Sequence, residues 1–525
     1  MNQENHIKYP VGIQSFEKLR ESGYLYVDKT PLIHSLINEG GCIFLARPRR
    51  FGKSLLLSTI EAYYQGRRDL FKGLALDKLA ADWEEHPVLR LDLNNGQYGA
   101  PGDLLDILDF NLRAWEEKYI GSLDAIDKEL PVSLRFSSII KAAYEATGKK
   151  VVVLVDEYDK PLLSTINNPE LADSYRSQLK AFYSNLKTMD QYIEFGMLTG
   201  VARFSKVSIF SDLNNLRDIS FENKYSSICG ITNGELDSYF QDGMHALAQA
   251  GGLNCSEVRE ELRKRYDGYH FSKESEDIYN PFSLVNVFAK CSFGSYWFDS
   301  GTPTYLVNLI QKEDWHVKDL APVEISETQL ENAGILAADP IPAFYQSGYL
   351  TIKDFDSKFR SYILDYPNEE VKEGFFSFLV PAYLTASARA SAFSIKRFIT
   401  SVEWGDPEEF MALLEGMLSG VPYSEKGSAE AHFQNAIYIL FTLMGFYANV
   451  EQRTSNGRID LVVVTGEYVY IFEFKIDSSA EVAMKQIDDK RYWASYVASG
   501  KKLFLIGADF STATRSISEY LIREV

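Results

Sequence analysis

Residues 42–54 read CIFLARPRRFGKS, an apolar run of strand length followed by an arginine-rich loop that ends in Gly52-Lys53-Ser54. Residues 55–64 continue with apolar side chains at helical spacing. A strand, a tight loop and a helix in this order form a cradle in which backbone amides and a lysine hold phosphate groups. The stretch therefore predicts an α/β nucleotide-binding fold for the first part of the chain.

In such a loop, Lys53 would reach the β and γ phosphates of ATP, and the Ser54 hydroxyl would bind Mg²⁺. The pattern G-x-x-x-x-G-K-[ST] expects glycine where Arg47 stands, so only its second half is intact. Pro48 and Arg49 must shape the loop instead. The candidate nucleotide-binding residues of the loop are Arg49, Arg50, Phe51, Gly52, Lys53 and Ser54.

A second apolar run, residues 151–155, ends in Asp156-Glu157. An apolar run with acids at its end is typical of a central parallel strand. Asp156 would hold Mg²⁺ through water, and Glu157 would polarise the attacking water. A phosphate loop followed by an acid-tipped strand favours ATP hydrolysis over a chance Gly-Lys-Ser. Residues 89–93 and 192–198 are predicted to be further strands of the same sheet.

These motifs, with YPVGI at 9–13, YVDKT at 26–30 and VDEYDKP at 155–161, resemble the AAA-ATPase-like family of bacterial proteins over about residues 5–225. In that family the arginine-rich loop without the first glycine is usual. The resemblance implies that Thr199, at the tip of the strand beside Asp156, senses the γ-phosphate. Arg203 is either a charge-stabilising arginine, acting in cis or toward a neighbouring subunit, or a surface residue.

The middle of the chain is predicted to be mostly helical, with helices at 235–250 and 256–266. We interpret it as a helical lid followed by a winged-helix-like unit whose hairpin begins within 345–352. A linker near 401–408 is predicted from Gly405-Asp406-Pro407. The predicted domains are an AAA-like P-loop ATPase at 1–225, the lid and winged-helix-like region at 226–400, and a third domain at 401–525.

Near the C-terminus, residues 458–464 and 468–475 are predicted to be strands joined by a turn at 465–467. In an antiparallel hairpin Asp460 and Glu473 stand opposite each other, and alternation places Glu473 and Lys475 on one face. Two carboxylates at a strand spacing suit Mg²⁺, which activates water for attack on a phosphodiester. Lys475 would orient that water or neutralise developing charge. A solvated salt bridge on a polar hairpin face is the alternative.

The order of a helix with Glu430, a strand with Asp460, a strand with Glu473 and Lys475, and a helix opened by Gln486 resembles the PD-(D/E)XK nuclease superfamily. The resemblance covers about residues 425–523, and Ile459 replaces the proline of the pattern. It implies that Asp460 and Glu473 bind metal, that Lys475 is catalytic, and that Glu430 and Gln486 support them.

The predicted fold class is therefore α/β: a P-loop NTPase parallel sheet, the helical lid and winged-helix-like middle region, and a C-terminal restriction-endonuclease-like domain.

The formal charge of −19 argues against a broad nucleic-acid-binding surface, so any DNA contact must come from a local patch. The four cysteines form no CxxC pair, the N-terminus lacks the features of a signal peptide, and the apolar stretch 436–447 is too short to span a bilayer. We expect a cytoplasmic protein without a membrane partner. A homo-oligomer is left open.

The leading hypothesis is an ATP-driven or ATP-gated nuclease that uses ATP and Mg²⁺ and acts on DNA, with RNA left open. The alternative is an ATP-dependent binding switch or scaffold whose nuclease fold does not cut, which the acidic charge favours. A further alternative is an ATPase whose C-terminal region serves only in assembly.

Overall fold

The computed structural model describes most of the chain, in two compact units of residues 1–299 with 322–370 and residues 300–321 with 371–525. The described residues are 7–121, 130–203, 213, 215–300, 306–307, 309–310, 315–332, 339–383, 388–418, 429–445, 449–455 and 458–525.

A parallel sheet with the strand order β2-β3-β4-β1-β5 forms the centre of the first unit. Its strands are β1 (Gly41–Ala46), β2 (Val88–Asp92), β3 (Val151–Asp156), β4 (Ile193–Gly200) and β5 (Leu216–Asp218). Every residue of β3 is buried, as expected for an apolar strand with neighbours on both faces. The predicted P-loop sheet is confirmed.

Helices lie between the first four strands in chain order. The described helices of this part are Phe16–Glu21, Thr30–Glu39, Lys53–Tyr64, Arg68–Phe71, Leu76–Leu79, Asp103–Tyr119, Val132–Thr147, Lys160–Ser164, Pro169–Tyr183 and Asn185–Thr188. The helix Lys53–Tyr64 begins after Gly52, whose φ of 91° turns the loop into the helix.

The carboxyl ends of the parallel strands meet at one edge of the sheet. Ala46 at the end of β1 pairs with Gly200 of β4, and Asp92 at the end of β2 pairs with Asp156 of β3. Parallel pairing therefore brings the phosphate loop and the acidic strand tips together, as is usual for ligand sites in α/β sheets.

The rest of the first unit is helical with a small antiparallel sheet, in the order β6-β8-β7. Its elements are the helices Asn233–Tyr239, Gln241–Gly251, Cys255–Tyr266, Pro281–Lys290, Glu327–Asn332 and Ile341–Ser347 and the strands β6 (Val323–Ser326), β7 (Thr351–Asp356) and β8 (Ser361–Asp365). The single helix predicted at 235–250 is wrong, because the chain breaks at Phe240, whose buried ring packs against Tyr9 and Phe288. The predicted hairpin follows the helix that ends at Ser347, and its winged-helix-like character stays a prediction.

The second unit contains a mixed sheet with the strand order β13-β12-β11-β10-β9. Its strands are β9 (Asn449–Ser455), β10 (Arg458–Val464), β11 (Tyr468–Ile476), β12 (Lys502–Ser511) and β13 (Ser516–Glu524). Its described helices are Ala388–Trp404, Pro407–Leu418, Ala429–Met444 and Ala480–Lys490, with residues 371–383 of Glu369–Tyr383.

Side-chain alternation along β11 separates two packed faces of that sheet. Phe472 packs against Phe410 and Phe441, with ring centroids 5.0 and 5.4 Å away. On the other face, Ile471 belongs to an apolar cluster with Ile487 of the helix Ala480–Lys490. None of the described helices combines the length and apolar character needed to cross a lipid bilayer.

The predicted domain ranges 1–225, 226–400 and 401–525 stay predictions. Residues 401–408, predicted to be a linker, form the end of one helix, a turn, and the start of the next within the second unit. The Tyr470 hydroxyl of β11 donates to the carbonyl of Val402 at 2.8 Å, so this turn packs against the sheet.

A buried ion pair joins two helices of the first unit and gives a stability prediction. Glu116 accepts two hydrogen bonds of 2.7 Å from Arg135, and both side chains are almost completely buried. Glu116→Ala leaves the guanidinium without its buried partner and is expected to cost about 3–5 kcal/mol of unfolding free energy. Urea unfolding measures the change. Asp109→Ala, which removes the more exposed partner of Arg135, is the control and is expected to cost about 1 kcal/mol or less. Equal losses in the two variants would contradict the prediction.

Candidate functional site

Arg47, at the position of the missing glycine, anchors the phosphate loop from within the protein. Its side chain is buried and donates to the carbonyls of Ala46 and Ser220 at 2.9 Å and of Tyr225 at 3.2 Å. Its guanidinium also lies 4.2 Å from the ring centroid of Phe271. Arg47 thus ties the start of the loop to the segment after β5.

Lys53 lies inside the loop, with only 3% of its side chain exposed. Its ammonium donates to the carbonyls of Arg47 and Pro48 at 3.2 Å and lies 3.5 Å from a carboxylate oxygen of Glu157. The loop carbonyls and one acid thus hold the charge of Lys53 at the edge of the sheet.

Asp156 and Thr199 meet at the tips of β3 and β4. The Thr199 hydroxyl donates to Asp156 Oδ1 at 2.8 Å, and both side chains are buried. Among the described residues, Asp156 makes no ion pair. Asp92 lies on the neighbouring strand tip, where burial raises the pKa of its carboxyl and the negative charge of Asp156 acts in the same direction. Glu157 takes a left-handed conformation, with φ of 50°, as the chain turns away.

The other predicted loop residues have different surroundings. Phe51 is buried, with its ring against those of Tyr269 and Phe271 at 4.8 and 5.2 Å. The guanidinium of Arg50 lies 3.6 Å from the ring centroid of Phe282, whereas Arg49 is exposed. These contacts fasten the loop to the helical region, and the backbone from Gly52 into the helix faces the strand tips.

Arg203 is held by an acid rather than extended into solvent. Its guanidinium donates to Asp218 Oδ2 at 2.5 and 3.0 Å and stacks on Phe221 at 4.7 Å, and its backbone N–H donates to Gln346 at 2.9 Å. Arg203 is therefore a partly buried residue held by an ion pair and an aromatic ring, and the choice between a charge-stabilising arginine and a surface arginine stays a prediction.

Sequence reasoning did not assign a role to Asp159, which is fully buried beside this edge. Its Oδ2 accepts hydrogen bonds from the backbone N–H groups of Val201 and Ala202 at 2.9 and 2.5 Å. Burial raises its pKa to about 7, and the negative charge of Glu157 contributes to that rise. The motif VDEYDKP contained this residue, but its spacing alone did not show what it would bind.

An apolar pocket next to Gly52 was also not predicted. Its walls come from the N-terminal segment, the phosphate-loop helix and the helical region, and include Tyr26, Lys29, Phe51, Leu55, Ile231 and Phe240. Lys29 is a charged member of this lining and forms an ion pair of 2.6 Å with Glu235. The pocket can take a flat, largely apolar ring beside the end of the phosphate loop.

In the second unit, the predicted hairpin forms with the predicted register. Asp460 of β10 pairs with Glu473 of β11. Glu473 is fully buried, and its Oε1 accepts a hydrogen bond from Lys475 Nζ at 2.5 Å. Lys475 also donates to Gln486 Oε1 at 2.7 Å. The structure therefore brings Glu473, Lys475 and Gln486 into one contact network.

The prediction that Gln486 opens a helix is wrong, since the helix runs over Ala480–Lys490 and begins after Ser479, whose side chain caps it. Gln486 lies in the second half of that helix. Gly507, the β12 partner of Glu473, allows the helix to approach the sheet, because a Cβ there would lie 2.8 Å from Ala480 O and from Met484 N. This close approach brings Gln486 to Lys475.

Two other residues were predicted for the nuclease site, Glu430 and Asp460. Glu430 is exposed near the start of the helix Ala429–Met444 and accepts a hydrogen bond from Gln434 at 3.1 Å. The network of Glu473, Lys475 and Gln486 forms without it. The side chain of Asp460 lies outside the described residues.

Both sites offer oxygen ligands of the kind that Mg²⁺ prefers. In the first, the buried Asp156 carboxylate accepts hydrogen bonds from a hydroxyl and an amide but has no cationic partner among the described residues, which fits a nearby divalent ion. In the second, Gln486 Nε2 is buried without a partner among those residues, so the network has a donor left for a further group. Within the described side chains, no three His, Cys, Asp or Glu gather into a metal site.

The first unit has a parallel sheet with a phosphate loop and acidic strand tips, and the second has a mixed sheet that carries Glu473 and Lys475. These two features define a class of protein with an ATPase-like part and a nuclease-like part. The chain belongs to a family that joins an AAA-ATPase-like domain to a PD-(D/E)XK nuclease superfamily domain. The family model described as "Predicted AAA-ATPase" matches residues 10–210, and that of the "PD-(D/E)XK nuclease superfamily" matches residues 428–520.

A relative is similar in sequence to this chain over nearly its whole length. The "Uncharacterized protein in vnfD 5'region" of Azotobacter chroococcum mcd 1 is 35% identical over 533 residues, covering 99% of this chain and 99% of the relative. The similarity therefore includes both units.

The close approach at Gly507 gives a second prediction. Gly507→Ala places a methyl group against backbone atoms of the helix Ala480–Lys490, so the helix must move away from the sheet. We expect a loss of about 1–3 kcal/mol of unfolding free energy, measured by urea unfolding. Gly466→Ala is the matched control, because a Cβ at Gly466 would meet no atom within 4 Å. An unchanged stability in Gly507→Ala would show that the helix is not held this closely.

Proposed function

We propose that the chain binds and hydrolyses ATP with Mg²⁺ at the edge of its parallel sheet and cleaves DNA with Mg²⁺ at the β10–β11 hairpin. The observation that carries the ATPase proposal is the position of Lys53, which is buried beside Glu157. At the neighbouring strand tips, the Thr199 hydroxyl donates to Asp156. A nearly buried lysine at the start of a helix, facing strand-tip acids, is suited to a triphosphate.

The nucleotide would lie with its base in the apolar pocket and its phosphates at the start of the helix Lys53–Tyr64. The pocket adjoins Gly52, so a base and a triphosphate can occupy neighbouring spaces. Lys53 would exchange its loop carbonyls for phosphate oxygens. Ser54 and Asp156 would hold Mg²⁺, which when bound neutralises charge on the phosphates.

Around the γ-phosphate, each residue has a separate proposed task. Glu157 accepts a proton from the attacking water or orients it, and Thr199, whose hydroxyl donates to Asp156, senses the γ-phosphate. Arg203 stabilises negative charge that develops on the phosphate, for which it must leave Asp218. Arg49, Arg50 and Phe51 shape the loop.

The ATPase proposal predicts a separation of binding from hydrolysis. Glu157→Gln keeps the shape of the site but removes the base, so we expect ATP turnover to fall about 10²–10⁴-fold. Binding of a fluorescent ATP analogue should stay within about threefold, because glutamine keeps the size of Glu157 and Lys53 keeps its hydrogen bonds to the carbonyls of Arg47 and Pro48. Phosphate release and fluorescence titration measure the two. Glu145→Gln, an exposed acid on another helix, is the control. Full turnover in Glu157→Gln would contradict the role of this residue.

The nuclease proposal rests on Lys475, which donates hydrogen bonds to both Glu473 and Gln486. Asp460 and Glu473 would hold Mg²⁺, which when bound lowers the pKa of water and makes it a better nucleophile. Lys475 orients the water and neutralises charge on the phosphodiester, and Gln486 fixes the position of Lys475. Glu430 would support the site when substrate is bound.

DNA is the proposed substrate, reached through a local patch because the chain is acidic overall. The second candidate function, an ATP-dependent switch or scaffold with a non-cleaving nuclease fold, is favoured by the charge of −19. The exposure of Glu430 and its hydrogen bond with Gln434 also favour this second candidate. Mg²⁺-dependent cleavage by the wild type would exclude this candidate.

The nuclease proposal predicts that cleavage depends on the lysine in the network. Lys475→Ala removes the ammonium beside Glu473, and we expect Mg²⁺-dependent cleavage to fall at least about 100-fold, as does Asp460→Ala. The assay uses linear, circular and single-stranded DNA with a Mg²⁺ titration. Lys485→Ala, an exposed lysine next to Gln486 on the same helix, is the matched control and should cut at the wild-type rate. Equal cleavage by Lys475→Ala and Lys485→Ala would rule out a catalytic Lys475, and no cleavage by any protein would favour the scaffold.

We further propose that the two activities are coupled, so that ATP bound at Lys53 permits cutting at Glu473 and Lys475. The presence of both domains in one chain, and in a relative similar over its whole length, supports this proposal. A nuclease that cuts only when ATP is bound would be restrained from indiscriminate damage.

A further inference from the structure

The two residues after Glu157 clamp the tip of the neighbouring strand β4. The N–H of Tyr158 donates to Thr199 O at 3.0 Å, and its hydroxyl donates to Ala202 O at 2.7 Å. Asp159 Oδ2 accepts from the N–H groups of Val201 and Ala202 at 2.9 and 2.5 Å. Four hydrogen bonds thus join a two-residue turn to residues 199–202.

The clamp is packed so closely that a side chain at Gly200 has no room. A Cβ at Gly200 would lie 2.6 Å from Asp159 Oδ1 and 2.6 Å from the Tyr158 ring. Tyr158 and Asp159 are both fully buried. Few alternative positions are therefore open to the strand tip while the clamp is intact.

The segment held by the clamp carries two residues proposed to act on the γ-phosphate. Thr199, at one end, donates to Asp156 at 2.8 Å. Arg203, directly after the segment, reaches Asp218 and is fixed at its backbone by Gln346. A change in the clamp would move both residues relative to the phosphate loop.

We propose that Asp159 is a positioning residue for ATP hydrolysis, which acts through Thr199 and Arg203 by holding residues 201–202 against the turn after β3. This inference rests on the proposed ATPase function. Asp159 has no direct contact with the nucleotide in this account, since its side chain is fully buried and its Oδ2 is engaged by backbone N–H groups.

The position of the clamp determines which kinetic constant it controls. Nucleotide binding depends on Lys53 and the apolar pocket, which lie on other elements. Loss of the clamp should therefore lower kcat and leave the nucleotide Kd nearly unchanged, because a small displacement of charge-stabilising groups mainly affects the transition state.

The test compares Asp159→Ala and Asp159→Asn with the wild type in the full-length protein. We expect Asp159→Ala to lower kcat about 10- to 100-fold, with KM and the Kd of a fluorescent ATP analogue within about threefold. Asp159→Asn keeps an oxygen that can accept both N–H groups and should recover most of the activity. Glu116→Gln alters a different buried carboxylate of the same unit and should leave kcat unchanged.

Two outcomes would overturn the inference: a wild-type kcat in Asp159→Ala, or a loss that raises KM and Kd as much as it lowers kcat. If Asp159→Ala does not fold, Tyr158→Phe removes the hydroxyl donor to Ala202 with little change in packing and should lower kcat severalfold at constant Kd. A wild-type kcat in Tyr158→Phe would then reject the clamp. Absence of ATP turnover in the wild type would refute the proposed function itself, so the two failures are distinguishable.

Discussion

An ion pair between a largely buried lysine and a neighbouring glutamate is the interaction on which both candidate sites depend. Lys53 lies 3.5 Å from Glu157 in the first unit, and Lys475 lies 2.5 Å from Glu473 in the second. A charge removed from water must be paired, so each lysine is held in place before any substrate arrives. Each pair also consists of the groups that phosphate chemistry uses, a cation for the phosphate oxygens and a carboxylate for metal or water. The same constraint thus places a cation and a carboxylate side by side in each candidate site.

The sequence predicted those parts of the fold that follow from simple periodicity. Apolar runs of strand length predict that residues 89–93, 151–155 and 192–198 belong to one sheet, and the structure pairs Asp92 with Asp156 at the ends of two of these strands. The register of Asp460 with Glu473 followed from a short turn and from alternation along two strands. Alternation along a strand and the length of a turn are properties of nearby residues, so contacts with distant segments did not alter these results.

Contacts between distant segments could not be predicted in this way. The partner of Arg203 is Asp218, and the apolar pocket combines segments near residues 25, 55, 230 and 285, which only the folded chain brings together. The start of the helix Ala480–Lys490 could have been predicted from the sequence, because Ser479 is a suitable N-cap. The contact between Gln486 and Lys475 depends further on Gly507, whose missing side chain lets helix and sheet approach, and nothing in the local pattern indicated that role.

The central claim is that a nucleotide at Lys53 controls cutting at Glu473 and Lys475. The most direct test is the rate of Mg²⁺-dependent DNA cleavage with and without ATP, in the wild type and in Lys53→Ala. The account predicts that ATP stimulates cleavage by the wild type and that Lys53→Ala loses this stimulation. Cleavage by Lys53→Ala at the wild-type rate and with the wild-type dependence on ATP would contradict the account.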